Sequence, residues 1–272
     1  MWGGTFVVVK DAIEQMPLMD LMAWRWIIAV AVLVLIRPRC LLVSRATYKH
    51  GAIVGVTTFL GYLFQTIGLQ TTTASVSGFI TGMFVVFTPL LMWVFGREKL
   101  TPPIWVAVAF ATAGLAALSL RGWAFGVGES WTLLGALFWA GQIIFLARWS
   151  TRENAYSMAT IQLGTAGLLF IIGATPGGLT PPPNQGVWIG ILILSVFASA
   201  LAFSVQTWGQ SHLDATRAAV IFSTEPIFAS IFGIWIDDDP ITARFIAGAT
   251  LIFAAMLISE FGDKKARATA AA

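Results

Sequence analysis

Apolar positions in this chain come in long runs, and polar positions gather in short breaks between them. Cut at charges, prolines and glycines, the runs fall at 2–14, 18–36, 51–70, 74–95, 103–120, 131–149, 155–174, 187–208, 215–235 and 241–259. A helix needs roughly 17–25 apolar residues to cross a bilayer, and every run but the first reaches that length. Ten spanning helices are therefore predicted. The first, Trp2 to Glu14, would rise only ~20 Å. It is read either as a short helix or, preferably, as a helix that the chain enters partway. The breaks carry turn chemistry. Thr71-Thr72-Thr73 forms a tight polar link, and Pro181-Pro182-Pro183-Asn184 cannot continue a helix. The small polar stretch 261–272 is predicted to be a disordered tail.

Composition agrees with lipid as the solvent. Only 11% of the 272 residues are charged and 57% are hydrophobic, with a mean hydropathy of +0.82. A soluble domain carries roughly 25% charged residues. The net charge of +3 would elsewhere suggest nucleic acid, but these basic residues sit in short loops and read as orientation signals. One set of alternate loops, with the C-terminus, holds Arg37, Arg39, Arg45, Lys49, Arg97, Lys99, Arg148, Arg152, Arg217, Lys264, Lys265 and Arg267. The opposite set holds Lys10, Arg121 and Arg244, together with the acids Asp11, Glu14, Asp20, Glu129, Asp237, Asp238 and Asp239. The positive-inside rule makes the first set cytoplasmic, and ten spans then put both termini inside. Cys40 is the only cysteine, and His50 and His212 fall near helix ends. No disulfide, metal centre or cofactor is expected.

Run 215–235 stands apart because Glu225 lies near its middle, followed by Pro226. A charge at the centre of a spanning helix costs at least ~2.5 kcal/mol, so it usually faces protein or water. The proline removes a backbone hydrogen bond at the same place. Glu225 reads as a proton or cation site, as a contact to a substrate amine, or as a neutral acid bonded to a neighbouring helix. Arg25, inside run 18–36, reads as a clamp for a substrate carboxylate, as a partner of Glu225, or as a side chain snorkelling to the interface.

The two halves resemble each other. WGGTFVVV from Trp2 matches WAGQIIFL from Trp139, which sets Arg25 on Gln162. FQTIGLQTTTAS from Phe64 matches VQTWGQSHLDAT from Val205, which sets Gln65 on Gln206 and Gly68 on Gly209. FTPLL and TEPIF each carry a proline, Pro89 and Pro226. Five helices per repeat is an odd number, so the second copy enters from the opposite face, an inverted-repeat arrangement with its site near the midplane. The predicted fold is all-α integral membrane, ten transmembrane helices as two inverted five-helix repeats around a central cavity, with domains at 1–122 and 129–260. Substrate-binding candidates are Trp2, Arg25, Gln65, Trp139, Gln162, Gln206 and Glu225, with Gln142 of the same kind. Pro89 and Pro226 read as hinges or as packing kinks. The GxxxG spacings at Gly51/Gly55, Gly78/Gly82 and Gly186/Gly190 read as intramolecular packing.

WGGTF with PLMDLMAWR, the TTTASVSGFITGMFVVFTPLL run before GREKLT, and DATRAAVIFSTEPIFASIFG resemble the drug/metabolite transporter superfamily, in its EamA-like branch. The resemblance implies ten helices in two inverted repeats and a cavity between helices 1–4 and 6–9. It also implies export of amino acids, other metabolites or drugs across a bacterial inner membrane. The chain departs from the pattern in its short first helix and in DDDPIT, which stands where the second repeat would carry GREKLT.

The function expected is secondary transport of a small organic solute by a monomer or homodimer. The partners are that solute and the bilayer, and nucleic acid is excluded. No GxxxxGK[ST] is present, so ATP is not the direct energy source. One alternative is a membrane-embedded enzyme, which needs clustered acids with a metal or a Ser/His constellation at one interface. The one acid cluster, 237–239, has no basic residue nearby in sequence, and it reads as a solvated helix end or a cation site. The other alternative is a non-transporting membrane subunit, which would need no polar midplane positions.

Overall fold

The computed structural model describes residues 2–95, 101–121, 124–212, 222 and 224–259. A short 3₁₀ turn, Trp2–Gly4, leads into α1 (Thr5–Gln15). Then follow α2 (Leu18–Ile36), α3 (Arg45–Leu69), α4 (Ala74–Thr81), α5 (Phe84–Val94), α6 (Pro102–Ser119), α7 (Val127–Trp149) and α8 (Ala155–Ala174). The chain continues through α9 (Gln185–Ser195), a π-helical segment (Val196–Leu201), α10 (Ala202–Gln210), α11 (Glu225–Ile236) and α12 (Ala243–Leu257). A two-residue antiparallel pair, Leu120–Arg121 with Ala124–Phe125, joins α6 to α7. The tail after 260, the loop around Arg97 and Lys99, and most of the first half of run 215–235 lie outside the described residues.

The helix starts follow local chemistry. Ser44, Thr73, Asn184 and Thr242 each accept a hydrogen bond from the backbone N–H three residues on, capping α3, α4, α9 and α12. Pro17 precedes α2 and Pro102 opens α6, places where a missing N–H costs nothing. The runs at 18–36 and 155–174 coincide with α2 and α8. Run 51–70 extends back to Arg45, because the Ser44 cap lies upstream of the charges at which the run was cut.

Run 74–95 is one span interrupted at Gly82–Met83. The interruption lies just before the turn whose carbonyl Pro89 leaves without a helical donor. Run 187–208 is α9 and α10 joined by the π segment, which buries Ala198, Ser199 and Ala200.

Among the described residues, six helical stretches are long and apolar enough to cross a bilayer, and three apolar helices are shorter: Pro102–Leu118, Glu225–Ile236 and Ala243–Leu257. The burial pattern reverses that of a water-soluble domain. Leu35, Ile36, Phe197 and Trp235 are exposed, while Arg25, Gln142, Gln162 and Thr207 are fully buried. This is a multi-pass membrane protein.

α3 packs lengthwise on α7 and α8, α2 on α8, α4 on α11, and α6 on α12. Small residues set these approaches. A Cβ at Gly68 would lie 2.5 Å from the Gly128 carbonyl, and one at Gly55 would lie 2.7 Å from the Gln162 carbonyl. Gly78 of α4 and Gly82 just after it meet Ala229 and Pro226 of α11. The GxxxG pairs at 51/55 and 78/82 thus serve packing within the chain. Gly190 touches only a Val8 methyl, at 3.3 Å. A Cβ at Gly209, expected to mirror Gly68, would meet nothing within 4 Å among the described residues.

Candidate functional site

A partly open cavity lies where the Trp2–Gly4 turn, α1, α3, α4, α5, α7, α10 and α11 converge. Its wall holds Trp2, Thr5, Phe6, Tyr62, Gln65, Thr81, Phe84, Trp139, Gln142, Ile143, Gln206, Phe222 and Glu225. The free volume is about 40 Å³, room for roughly three waters. An amino acid or a larger solute enters only if the helices move apart.

Rings build most of the wall. Trp2 packs on Phe203 and Phe222 at centroid distances of 5.2 and 5.7 Å. Tyr62 stands edge-on to Trp139 at 4.8 Å and to Trp26 at 5.1 Å. Such tilted pairs hold one another's orientation. Polar groups are few and mostly paired. Gln65 Nε2 donates to Thr81 Oγ1 at 2.9 Å. Gln142 and Gln206 exchange amide hydrogen bonds at 3.4 and 3.2 Å.

One group breaks this pairing: Trp139 Nε1 is buried with no acceptor among the described residues. The Glu225 carboxyl also lies on the wall. Glu225 is the first residue of α11 and Pro226 the second, a position where proline fits without breaking a helix. An acid at a helix N-terminus also faces the positive end of the backbone dipole. Pro226 does not line the cavity: it is buried against Gly82, at the end of α4. Pro89 sits inside α5, off the wall.

Arg25 lies one layer behind the cavity. It is fully buried. Its Nη2 donates to the Tyr62 hydroxyl at 2.9 Å, and its Nε donates to Ser199 Oγ at 2.8 Å. The guanidinium also lies 4.5 Å from the Tyr62 ring centroid. Arg25 therefore does not snorkel. No carboxylate in the described residues pairs with it, and its Nη1 has no partner. The π segment supplies two of the contacts around this layer. Ser199 takes the arginine, and the Ala198 carbonyl takes Trp2 Nε1 at 2.8 Å. A π turn widens the helix and redirects a residue out of register. Gln162, expected to mirror Arg25, is buried with both amide atoms unpaired and does not line the cavity.

Of the sequence-named residues, then, Trp2, Gln65, Trp139, Gln206 and Glu225 meet on one wall, with Gln142. Arg25 lies behind Tyr62, off the wall, and Gln162 stands apart. The pattern reading did not reach Tyr62, Thr81 or Ser199. Tyr62 was accessible, since it lies three residues before Gln65 on the same helix face.

The acidic loop also finds a basic neighbour that its local sequence lacks. Lys10 of α1 pairs with Asp237. Asp239 Oδ2 accepts from the Ser75 backbone N–H at 2.7 Å, at the start of α4. Asp238 takes a left-handed φ of 51° between them. The expectation of a solvated helix end without basic partners is corrected here, because residues distant in sequence supply both partners.

The profile of the EamA-like transporter family matches residues 1–120 and 126–261. The chain belongs to this family. An uncharacterized transporter of Archaeoglobus fulgidus is 32% identical over 94% of the chain and 81% of its own length. The uncharacterized transporter YvbV of Bacillus subtilis is 26% identical over 99% of the chain and 91% of its own. A chloroplastic WAT1-related protein of Arabidopsis thaliana is 26% identical over 96% of the chain and 67% of its own. A solved crystal structure superposes with a TM-score of 0.72 at 17% identity, covering 98% of this chain and 94% of that one. That last likeness speaks for the fold alone.

Proposed function

We propose that this transporter is a secondary carrier that exports a small organic solute bearing an amine and an acid group, of the amino-acid kind, by alternating access. Its ten spans form two inverted five-helix repeats, 1–122 and 129–260, in a bacterial inner membrane with both termini cytoplasmic. The observation that carries the reading is the pair of ionisable groups about the cavity. The Glu225 carboxyl lies on its wall, and behind Tyr62 lies Arg25, a buried cation with no counter-charge among the described residues. A buried charge costs several kcal/mol unless paired. A solute that brings an ammonium to Glu225 and a carboxylate to the Tyr62 hydroxyl and Trp139 Nε1 supplies both partners, while the rings hold its apolar part.

The cavity is too small for such a solute as it stands. The tie of the 237–239 loop to α1 and α4 supports reading this face as closed. Breaking it frees α11 from α4 and opens the cavity to the side that bears the acids. Gly82–Met83 and the π segment are the flexible points about which the helices swing.

The test is flux in proteoliposomes over a panel of amino acids and cationic drugs, with and without a pH gradient, for the native chain and for Glu225→Gln. Gradient-dependent flux of a zwitterion that falls at least tenfold in the variant supports the proposal. Flux of the same solute unchanged in rate and pH dependence in Glu225→Gln would defeat the role given to Glu225. Absence of flux across the panel would defeat the solute class.

A further inference from the structure

A second cavity, of about 320 Å³, lies where α2 ends and α8 begins, against the outward face of α10. Arg37 and Arg152 both line it, and so does Glu153. Among the described residues neither arginine is in an ion pair. The Arg37 guanidinium instead lies 5.7 Å from the Tyr156 ring centroid. That ring is held in place by its hydroxyl, which donates to the Leu33 carbonyl at 2.7 Å. The cavity thus presents two free guanidiniums against one carboxylate.

Its position decides what fits. The floor is set by the ends of two membrane-spanning helices, the level at which lipid headgroups lie. The α10 side of the wall adds Ser204 and two outward-facing apolar side chains, Val205 at 52% exposed and Trp208 at 59%. Leu35 and Ile36, just before Arg37, are 79% and 71% exposed. A tryptophan at this level is the usual marker of the boundary between headgroup and acyl chain. A guanidinium grips phosphate oxygens with two parallel N–H groups. Basic recesses between spanning helices at this depth suit anionic headgroups.

We infer that this cavity holds the phosphate of an anionic glycerophospholipid between Arg37 and Arg152, with the acyl chains lying along Val205 and Trp208. A free phosphate ester satisfies the same guanidiniums but leaves the apolar wall unused, and this distinguishes the two sources. The site is separate from the central cavity and does not rest on the transport reading.

The experiment uses the full chain purified in an uncharged detergent, with lipid binding followed by native mass spectrometry. The probes are phosphatidylglycerol, phosphatidylcholine and soluble glycerol phosphate. Phosphatidylglycerol binds in preference to phosphatidylcholine, and Arg37→Gln/Arg152→Gln weakens it roughly 30-fold, at about fivefold for each surface cation. Glu153→Gln strengthens it, and Arg37→Lys/Arg152→Lys keeps the preference. All three side chains are exposed, so the variants fold, which unchanged gel-filtration and melting profiles verify. Equal binding of the two lipids, or an unchanged preference in the double glutamine variant, overturns the inference. Glycerol phosphate that binds as tightly as the lipid and displaces it overturns the lipid as occupant.

Discussion

Cutting the tie at the 237–239 loop opens the central cavity on that face. The Lys10–Asp237 pair leaves each side chain 23% exposed, so solvent screens part of its energy and it contributes about 0.2–1 kcal/mol. Asp239 is 6% exposed and caps α4 through the Ser75 N–H. Replacing such a cap by alanine costs about 0.5–2 kcal/mol. Lys10→Met with Asp239→Ala therefore destabilises the closed arrangement by about 1–3 kcal/mol. If the open arrangement makes neither contact, its population relative to the closed one rises roughly 5- to 150-fold.

The assay is alkylation of a single reporter cysteine, Thr5→Cys on the cavity wall, with Cys40→Ser removing the native thiol. A membrane-impermeant maleimide is applied from the face that bears the loop. The double variant reacts at least fivefold faster, and each single change gives a smaller rise. A Lys10→Cys/Asp237→Cys disulfide slows the reaction, and reduction restores it. A reaction rate unchanged in the double variant, with a surface cysteine on the same face reacting normally, would refute the reasoning.

Other outcomes follow from the packing and the site. Arg25→Met removes a buried charge that lacks a counter-ion, so the melting temperature in detergent holds or rises. Flux of carboxylate-bearing solutes falls at least tenfold in the same variant, and parallel loss of folded protein would contradict this. Gln142→Leu strands the Gln206 amide, lowering stability by about 1–3 kcal/mol in thermal unfolding. Gln142→Leu/Gln206→Leu recovers most of that loss. Gly68→Val drives a side chain into the Gly128 carbonyl and costs more than about 2 kcal/mol, seen as lost monodispersity on gel filtration. Gly209→Ala, with open space around it, leaves the profile unchanged.

Much of this molecule is dictated by local pattern. Lipid demands apolar length, so α2 and α8 begin and end where charges and prolines stop the runs. Helix starts at Ser44, Thr73 and Asn184 follow from a side-chain oxygen three residues before an orphan N–H. A buried acid in an apolar run is too costly to be incidental, and this marked Glu225 from composition alone. The small residues at Gly51/Gly55 and Gly78/Gly82 announced close helix contacts, though not which helices would meet. Pairing across the fold was beyond that kind of reading. Arg25 finds Tyr62 and Ser199 across separations of 37 and 174 residues, and no periodicity encodes either distance. The π turn that offers Ser199 packs against α2, together with α9. Lys10 meets Asp237 only because α1 and α11 pack side by side. Gly68 and Gly209 are alike in sequence yet differ in the structure, because one faces α7 and the other faces open space. A spanning helix depends mainly on its own residues and the lipid, whereas a binding site depends on which side chains separate helices bring into one place.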